Sequence, residues 1–280
     1  MTLISDFIAG RSPPELYETY LAPGLFSPFA DDLLARLPPS GTCLDIACGT
    51  GVISRKLARN GAVKRISAID IAEPMIAHAT ALAANEDLAD RIEYSVASAL
   101  DLPFAKDEFE TAYCQQGVQF FPDRLQALRE ARRVLKPGGR FAAAVWTAAS
   151  DGNPVFGTFE EALARRFGED LVPLGPFAFG DKDALQSLFE ESGFTLQSLE
   201  RREANARLPD IRSFILFDLI FIGRPGADGA LQPIVAPDDP AADEPIREMI
   251  AEMEEALSDY VQDDNSLLAP MTTHIAIAKA

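Results

Sequence analysis

Between residues 42 and 146 the chain alternates short apolar runs with helix-patterned stretches, and that alternation constrains its fold more than any other feature. Residues 42–46 and 65–69 read as strands, each followed by a helix, at 52–59 and at 73–84, the second helix with Pro74 in its first turn. Strands at 92–96 and 109–114 come next. A helix at 123–135 with Asp123 as its N-cap then leads, through the turn Pro137-Gly138-Gly139, to a strand at 140–146. Strands joined through helices run parallel, and a parallel sheet needs helices on both faces. The expected fold class is α/β, a doubly wound and mostly parallel sheet.

The flanks are less regular. Before the alternation, residues 15–22 and 28–37 read as two helical pieces separated by Pro23-Gly24 and ended by Pro38-Pro39. After it, helices are expected at 156–167 and 181–191, with Gly193 as a C-cap before a strand at 195–201. An apolar helix at 211–222, a Gly/Pro/Asp-rich connection at 223–240 and an acidic helix at 243–261 precede a closing edge strand at 273–278. This divides the chain into an N-terminal helical lid (1–40), a core (41–202), a helical cap (203–270) and the closing edge strand (271–280). The cap is also a candidate homodimer face.

Charge narrows the function classes. The chain holds 25 Lys and Arg against 43 Asp and Glu, a net charge of −18. Nucleic-acid backbones and anionic membranes are held by clustered Lys and Arg, so neither is an expected partner. Residues 226–265 alone carry twelve acids and a single base, Arg247, which makes the cap the most acidic segment. No run approaches the length of a membrane span, and the most apolar one, residues 214–222, is broken by Asp218. The first residues lack the charged region, long apolar core and cleavage site of a secretory leader. Three cysteines (Cys43, Cys48, Cys114) without CxxC spacing suggest neither a disulfide framework nor zinc, and His78 and His274 lie far apart. A cytoplasmic location and no metal are expected.

The chemistry is concentrated in Leu44-Asp-Ile-Ala-Cys-Gly-Thr-Gly51, at the end of the first strand. Gly49 and Gly51 allow a sharp turn and bring bare backbone against a ligand, and the following helix directs its unpaired N–H groups there. Nineteen residues past Gly51 the second strand ends in Asp70, where an α/β nucleotide site accepts ribose hydroxyls. A nicotinamide site wants a third glycine at the position of Ser54. Asp45 would face a pyrophosphate unfavourably, yet it suits a ligand bearing an amine. A zwitterionic amino-acid tail on a nucleoside, as in S-adenosylmethionine, fits both carboxylates.

The segments LDIACGTG (44–51), AIDIAEPM (68–75), ASALDLPF (97–104), FETAYCQQGVQFFPD (109–123) and RVLKPGGRF (133–141) together resemble the class I S-adenosylmethionine-dependent methyltransferases. The likeness is to the group related to ubiquinone/menaquinone-biosynthesis and small-molecule methyltransferases. It implies a Rossmann-like seven-stranded sheet with an antiparallel edge strand, an N-terminal helical lid and a helical insertion before the last strand. It implies that Asp45, Ala47, Gly49 and Gly51 hold the methionine part of the cofactor, that Asp70 takes the ribose hydroxyls, and that Ile71 and Met75 pack on adenine. Ala97, Ser98 and Ala99 would meet the adenine edge, Gln115 would line the crevice, and Tyr20 would fold over the cofactor. Ser98 stands where many relatives have an acid, and Ala72 where many have a capping Ser or Asn. The implied reaction is in-line displacement of the methyl group onto a small, partly apolar acceptor at carbon, oxygen or nitrogen, with no base assignable. The alternatives are a non-catalytic S-adenosylmethionine-binding protein and a nicotinamide-dependent oxidoreductase.

Overall fold

The computed structural model describes residues 1–169, 171, 175–221, 223–225 and 231–280. The chain divides into two compact units. One comprises residues 26–147, 179–202 and 273–280, the other residues 1–25, 148–178 and 203–272. This differs from the sequential blocks expected from the sequence, because residues 26–40 join the sheet unit and residues 148–178 join the helical one.

The first unit is built on a seven-stranded sheet, of which only residues 203–208 and 267–272 are counted with the second unit: β1 (Gly41–Ile46), β2 (Val63–Asp70), β3 (Ile92–Val96), β4 (Phe109–Gln115), β5 (Leu135–Trp146), β6 (Thr195–Leu208) and β9 (Leu267–Lys279). Their spatial order is β3-β2-β1-β4-β5-β9-β6. The first five are mutually parallel, and β9 runs antiparallel to β5 from Arg140↔Lys279 to Trp146↔Thr273. The reversed strand thus lies one place in from the rim, with β6 outside it.

Side chains alternate across the sheet and feed two cores. Leu44, Ile46, Ala143 and Val145 point to one, with Leu128 of α6 (Arg124–Val134) and Phe189 of α8 (Lys182–Glu191). Cys43, Ala142 and Ala144 point to the other, with Leu33 of α3 (Ser27–Arg36), Ile53 and Leu57 of α4 (Val52–Ala58), and Ile76 of α5 (Glu73–Asn85). Burial of β1 and β5 on both faces explains why they read as continuous apolar runs. Asp123 caps α6 by accepting from the Gln126 N–H, and Gly193 takes φ +85° after α8, both as the sequence suggests.

Several boundaries differ. Pro137-Gly138-Gly139 is not a turn before β5 but an extra loop within it: the register passes from Phe109↔Leu135 to Thr111↔Arg140. The bulge is held by the Ala280 N–H donating to the Gly139 carbonyl at 2.9 Å. β9 begins at Leu267 because the acidic helix stops at Ala256, and a left-handed Asn265 (φ 64°) reverses the chain.

The second unit contains α1 (Leu3–Ile8), α2 (Pro13–Tyr20), α7 (Pro154–Phe167), α9 (Ile211–Phe221) and α10 (Asp243–Ala256). A π-helical turn, Ala22–Phe26, holds Pro23-Gly24, and the two helical pieces expected on either side of it are both present as α2 and α3. The segment expected as a connection at 223–240 holds a two-stranded hairpin, β7 (Gly223–Pro225) with β8 (Leu231–Pro233); Ile222 and residues 226–230 lie outside the described residues. Phe214 of α9 packs edge-on against Phe156 and Phe159 of α7, at 5.1 and 5.5 Å. The acidic α10 is not simply a solvated face, for Glu252 takes both Arg165 and Arg166 of α7. Among the described residues no helix is long and apolar enough to cross a membrane.

The aromatic layer of the sheet unit provides a stability test. Phe141 is 1% exposed and packs on Phe189 and Phe194 at 5.9 and 5.4 Å. Truncation there leaves a cavity that the surrounding strands cannot fill, so Phe141→Ala should cost about 3–5 kcal/mol. The chain's one tryptophan, Trp146, lies in β5, so its fluorescence during urea unfolding reads this unit. A loss below about 1 kcal/mol would show that the layer is not tightly packed.

Candidate functional site

The strand order reverses direction between β1 and β4, because the chain runs outward to β2 and β3 and then returns to the other side of β1. At such a point the connections leaving the C-terminal strand ends diverge and open a crevice. The ends of β1, β2 and β4 at this rim carry most of the residues singled out in the sequence.

After Ile46 the chain turns through three left-handed residues, Ala47 (φ 57°), Gly49 (54°) and Gly51 (85°). An alanine in that region is strained by about 1–3 kcal/mol and persists only where its surroundings fix it. Here Cys48 N–H donates to the Ile69 carbonyl at 2.9 Å and Gly51 N–H to the Cys48 carbonyl at 2.8 Å. Glycine is required at position 51 for a second reason: a Cβ there would lie 2.3 Å from the Tyr94 hydroxyl oxygen. Gly117, after β4, lets the two connections pass closely, since its Cβ would meet Ala47 Cβ and Cys114 Sγ, each at 2.7 Å.

Asp70 ends β2 and ties two connections together. Its Oδ2 accepts from Gly49 N–H and its Oδ1 from Ala72 N–H, both at 2.9 Å. The second bond satisfies the start of α5, where Ala72 has no capping side chain of its own. The first means that Gly49 N–H is already paired within the protein.

Asp45 differs from the expectation in direction. It is 1% exposed, and the Ser54 hydroxyl donates to its carboxylate. Burial pushes its carboxyl up to about 7, against the donors of Ser54 that hold it down and with the nearby Asp70 raising it further. The carboxyl therefore faces the first turn of α4 from beneath the loop. Ser54, which replaces the third glycine of a dinucleotide fingerprint, is its hydrogen-bond partner.

The remaining residues divide. Ile71 is 75% exposed beside Asp70, and Val96, register partner of Asp70 at the end of β3, is 51% exposed. Met75 is half-buried in the first turn of α5. Ala97, Ser98 and Ala99 are half-buried; Ala97 N–H donates to the Asp70 carbonyl at 3.0 Å, and Ser98 Oγ accepts from Leu100 N–H at 3.2 Å. Gln115 donates its side-chain N–H to the Phe26 carbonyl at 2.7 Å. Tyr20 belongs to the helical unit, where it stacks on Phe7 at 5.6 Å and accepts from Arg11 Nη1 at 2.9 Å. His274 is buried with Nε2 at 3.1 Å from the Gly180 carbonyl, a structural setting, and burial raises the thiols of Cys48 and Cys114 well above their ordinary range.

The sequence reading missed Tyr94, Ser54 as the partner of Asp45, and two amides after β4. Gln116 (φ 54°) and Gln119 are each 5% exposed; Gln116 donates to Thr273 Oγ1 at 3.2 Å, while its Oε1 and both amide atoms of Gln119 have no partner among the described residues. A polar pair buried at a strand end was the one signal that could have found them.

Residues 44–143 match a family described as methyltransferase domain. The chain is 30% identical over 182 residues to a ubiquinone/menaquinone biosynthesis C-methyltransferase of Rickettsia massiliae, covering 63% of this chain and 71% of that protein. It is 34% identical over 165 residues to an O-methyltransferase of Aspergillus sclerotiorum, covering 59% of this chain and 58% of that protein. A solved Bacillus halodurans structure shares the fold with a TM-score of 0.58 at 19% identity, covering 89% of this chain and 97% of that one. With the left-handed β1 turn and the Asp70 clamp inside the matched segment, the chain belongs to the S-adenosylmethionine-dependent methyltransferases.

Proposed function

We propose that the protein transfers the methyl group of S-adenosylmethionine to a small, partly apolar acceptor, at carbon, oxygen or nitrogen, by in-line displacement. The observation that carries this reading is the pairing of a fixed carboxylate, Asp70, with the exposed apolar surface of Ile71 and Val96 at the same rim. A nucleoside needs both, hydrogen-bond acceptors for its ribose hydroxyls and an apolar shelf for its base. The residues present fit the cofactor. Asp70, with lone pairs beyond those used on Gly49 and Ala72, would hold the ribose, and Ile71, Met75 and the 97–99 turn would flank the adenine. The Ala47–Gly51 turn would hold the amino-acid tail, with the negative charge of Asp45 beneath its ammonium, and Gln115 would border the site.

When bound, the cofactor supplies a methyl group on a sulfonium that is its own leaving group. The protein's part is to align the acceptor with that bond and to exclude water. The unpartnered amide oxygen of Gln116 and the amide of Gln119 would orient a polar atom of the acceptor, and the 58%-exposed Phe120 would meet its apolar part. The O- and C-methyltransferase names of the relatives favour no single acceptor atom.

Thermal unfolding with S-adenosylhomocysteine and with NAD tests the cofactor reading. A ligand at about 100 times its Kd stabilises by about 2.7 kcal/mol, so S-adenosylhomocysteine should raise Tm and NAD should not. Asp70→Ala should abolish the rise. A shift with NAD alone would overturn the proposal, and release of labelled methyl groups onto a panel of phenols, quinols and amines tests turnover.

The position of Asp45 adds a pH signature. With its carboxyl raised to about 7 in the free protein, the group is largely neutral at pH 6 and largely charged at pH 8. A ligand ammonium above it favours the charged form, so affinity for S-adenosylhomocysteine should rise by up to about tenfold over that interval. For the free protein the sign is opposite. An acid whose folded pKa is raised contributes stability at low pH that is lost as pH rises through about 7. Asp45→Asn should flatten both profiles, as calorimetric titration and thermal unfolding would read. An affinity that falls with pH would remove Asp45 from the ammonium site.

A further inference from the structure

Where β4 ends, the chain passes against the β1 turn. Gly117 leaves so little room there that a Cβ on it would meet Ala47 Cβ at 2.7 Å. Gln116, the residue before it, is buried and lies in the left-handed region at φ 54°. That conformation disfavours any residue but glycine, and strain of this kind collects where a side chain has to be aimed. The backbone is pinned there by Gln116 N–H donating to the Ala144 carbonyl at 2.9 Å.

The side chain is pinned as well, and in one orientation. Its Nε2 lies 3.2 Å from Thr273 Oγ1, which donates its single proton to the Val145 carbonyl at 2.8 Å. A hydroxyl committed in this way can only accept from Gln116, so the amide turns its NH2 toward Thr273. Exchanging the two amide atoms would set two oxygens together with no proton between them. Oε1 is thereby left buried, with no donor among the described residues. Gln119 is a second buried amide on the same connection, but no bond among the described residues fixes its side chain, so it specifies no partner.

We propose, resting on the methyl-transfer reading, that Gln116 Oε1 accepts a hydrogen bond from a neutral hydroxyl or N–H group of the methyl acceptor. It thereby selects acceptors that bring such a donor to the end of β4. A carboxylate brings only further lone pairs and would meet the amide oxygen with like polarity. A hydrocarbon of the same shape would leave Oε1 desolvated and unpaired, and a site built around one polar contact discriminates strongly against the analogue that lacks it. An amide oxygen is too weak a base to take the proton, so Gln116 orients the group and does not deprotonate it.

Phenol, aniline and toluene are matched in size and differ in the one group that Oε1 would read. NMR titration of the full chain, with and without S-adenosylhomocysteine, should give phenol or aniline at least about tenfold tighter binding than toluene, although toluene is the most apolar of the three. The tighter of the two donors shows whether a hydroxyl or an N–H group is preferred. The side-chain carbonyl carbon resonance of Gln116 should move with that donor and not with toluene. Gln116→Leu should abolish the preference, and Thr273→Val, which frees the amide to turn, should reduce it severalfold. Equal affinities overturn the proposal, as does a preference unchanged in Gln116→Leu. So does the absence of saturable binding of phenol and aniline up to about 10 mM, which would leave a buried water as the partner of Oε1. Should Gln116→Leu fail to fold, as circular dichroism would reveal, Thr273→Val decides: retention of the full preference overturns the assignment. No rise in Tm with S-adenosylhomocysteine counts against the cofactor reading, whereas a rise without any donor preference counts against Gln116 alone.

Discussion

The β1 turn and the start of α5 both hang on the carboxylate of Asp70. One oxygen accepts from Gly49 and the other from Ala72, so a single side chain at the end of β2 fixes the connections on both of its sides. The parallel pairing of Ile46 with Ile69 brings the ends of β1 and β2 level, which puts the carboxylate within reach of the turn. The strain in Ala47 is held by this clamp together with the bond from Cys48 to Ile69. Clamping both connections leaves Asp70 with acceptor capacity to spare. A carboxylate offers about four acceptor directions, and the two backbone donors use two of them.

Asp45 shows how the same loop is supported from below. Its carboxylate is shut away from solvent and bonded by Ser54, so any action on a group above the turn would be through its field and not by contact. In a low-dielectric setting that field is screened little, and the charge favours a cation in the turn above. The replacement of a third glycine by Ser54 is explained by the same arrangement. A glycine there would leave the buried carboxylate without its hydroxyl donor, and a larger residue would displace Tyr94 or the loop.

The alternation of apolar runs made the parallel sheet legible, since period and length distinguish buried strands from helices. The positions of Asp70, Gly49 and Gly51 were legible because each needs one residue type for a backbone or hydrogen-bonding reason. What stayed hidden depended on tertiary partners. The Pro137-Gly138-Gly139 bulge reads as a plain turn until the chain end pairs with Gly139. The inward orientation of Asp45 depends on Ser54, nine residues on and in another element. The last strand reads as an edge because sequence order does not reveal that β6 lies outside it. β6 was legible beyond residue 201, since Ala204, Ala206 and Leu208 alternate with Glu203, Asn205 and Arg207, whereas the outer half of β9, residues 267–272, carries no such alternation.

Three acids mark a gradient in how the fold handles negative charge. Asp70 is satisfied by two backbone donors and stays partly open to solvent. Asp45 is fully buried but keeps the donors of Ser54, so its carboxyl is raised only to about 7. Asp218 is buried with its Oδ2 unpaired among the described residues, and its carboxyl rises to about 8. Packing alone does not account for the last of these, because an apolar residue of similar volume in α9 would avoid the desolvation penalty. Where donors are built in, the protein itself holds the charge and uses it to shape a turn.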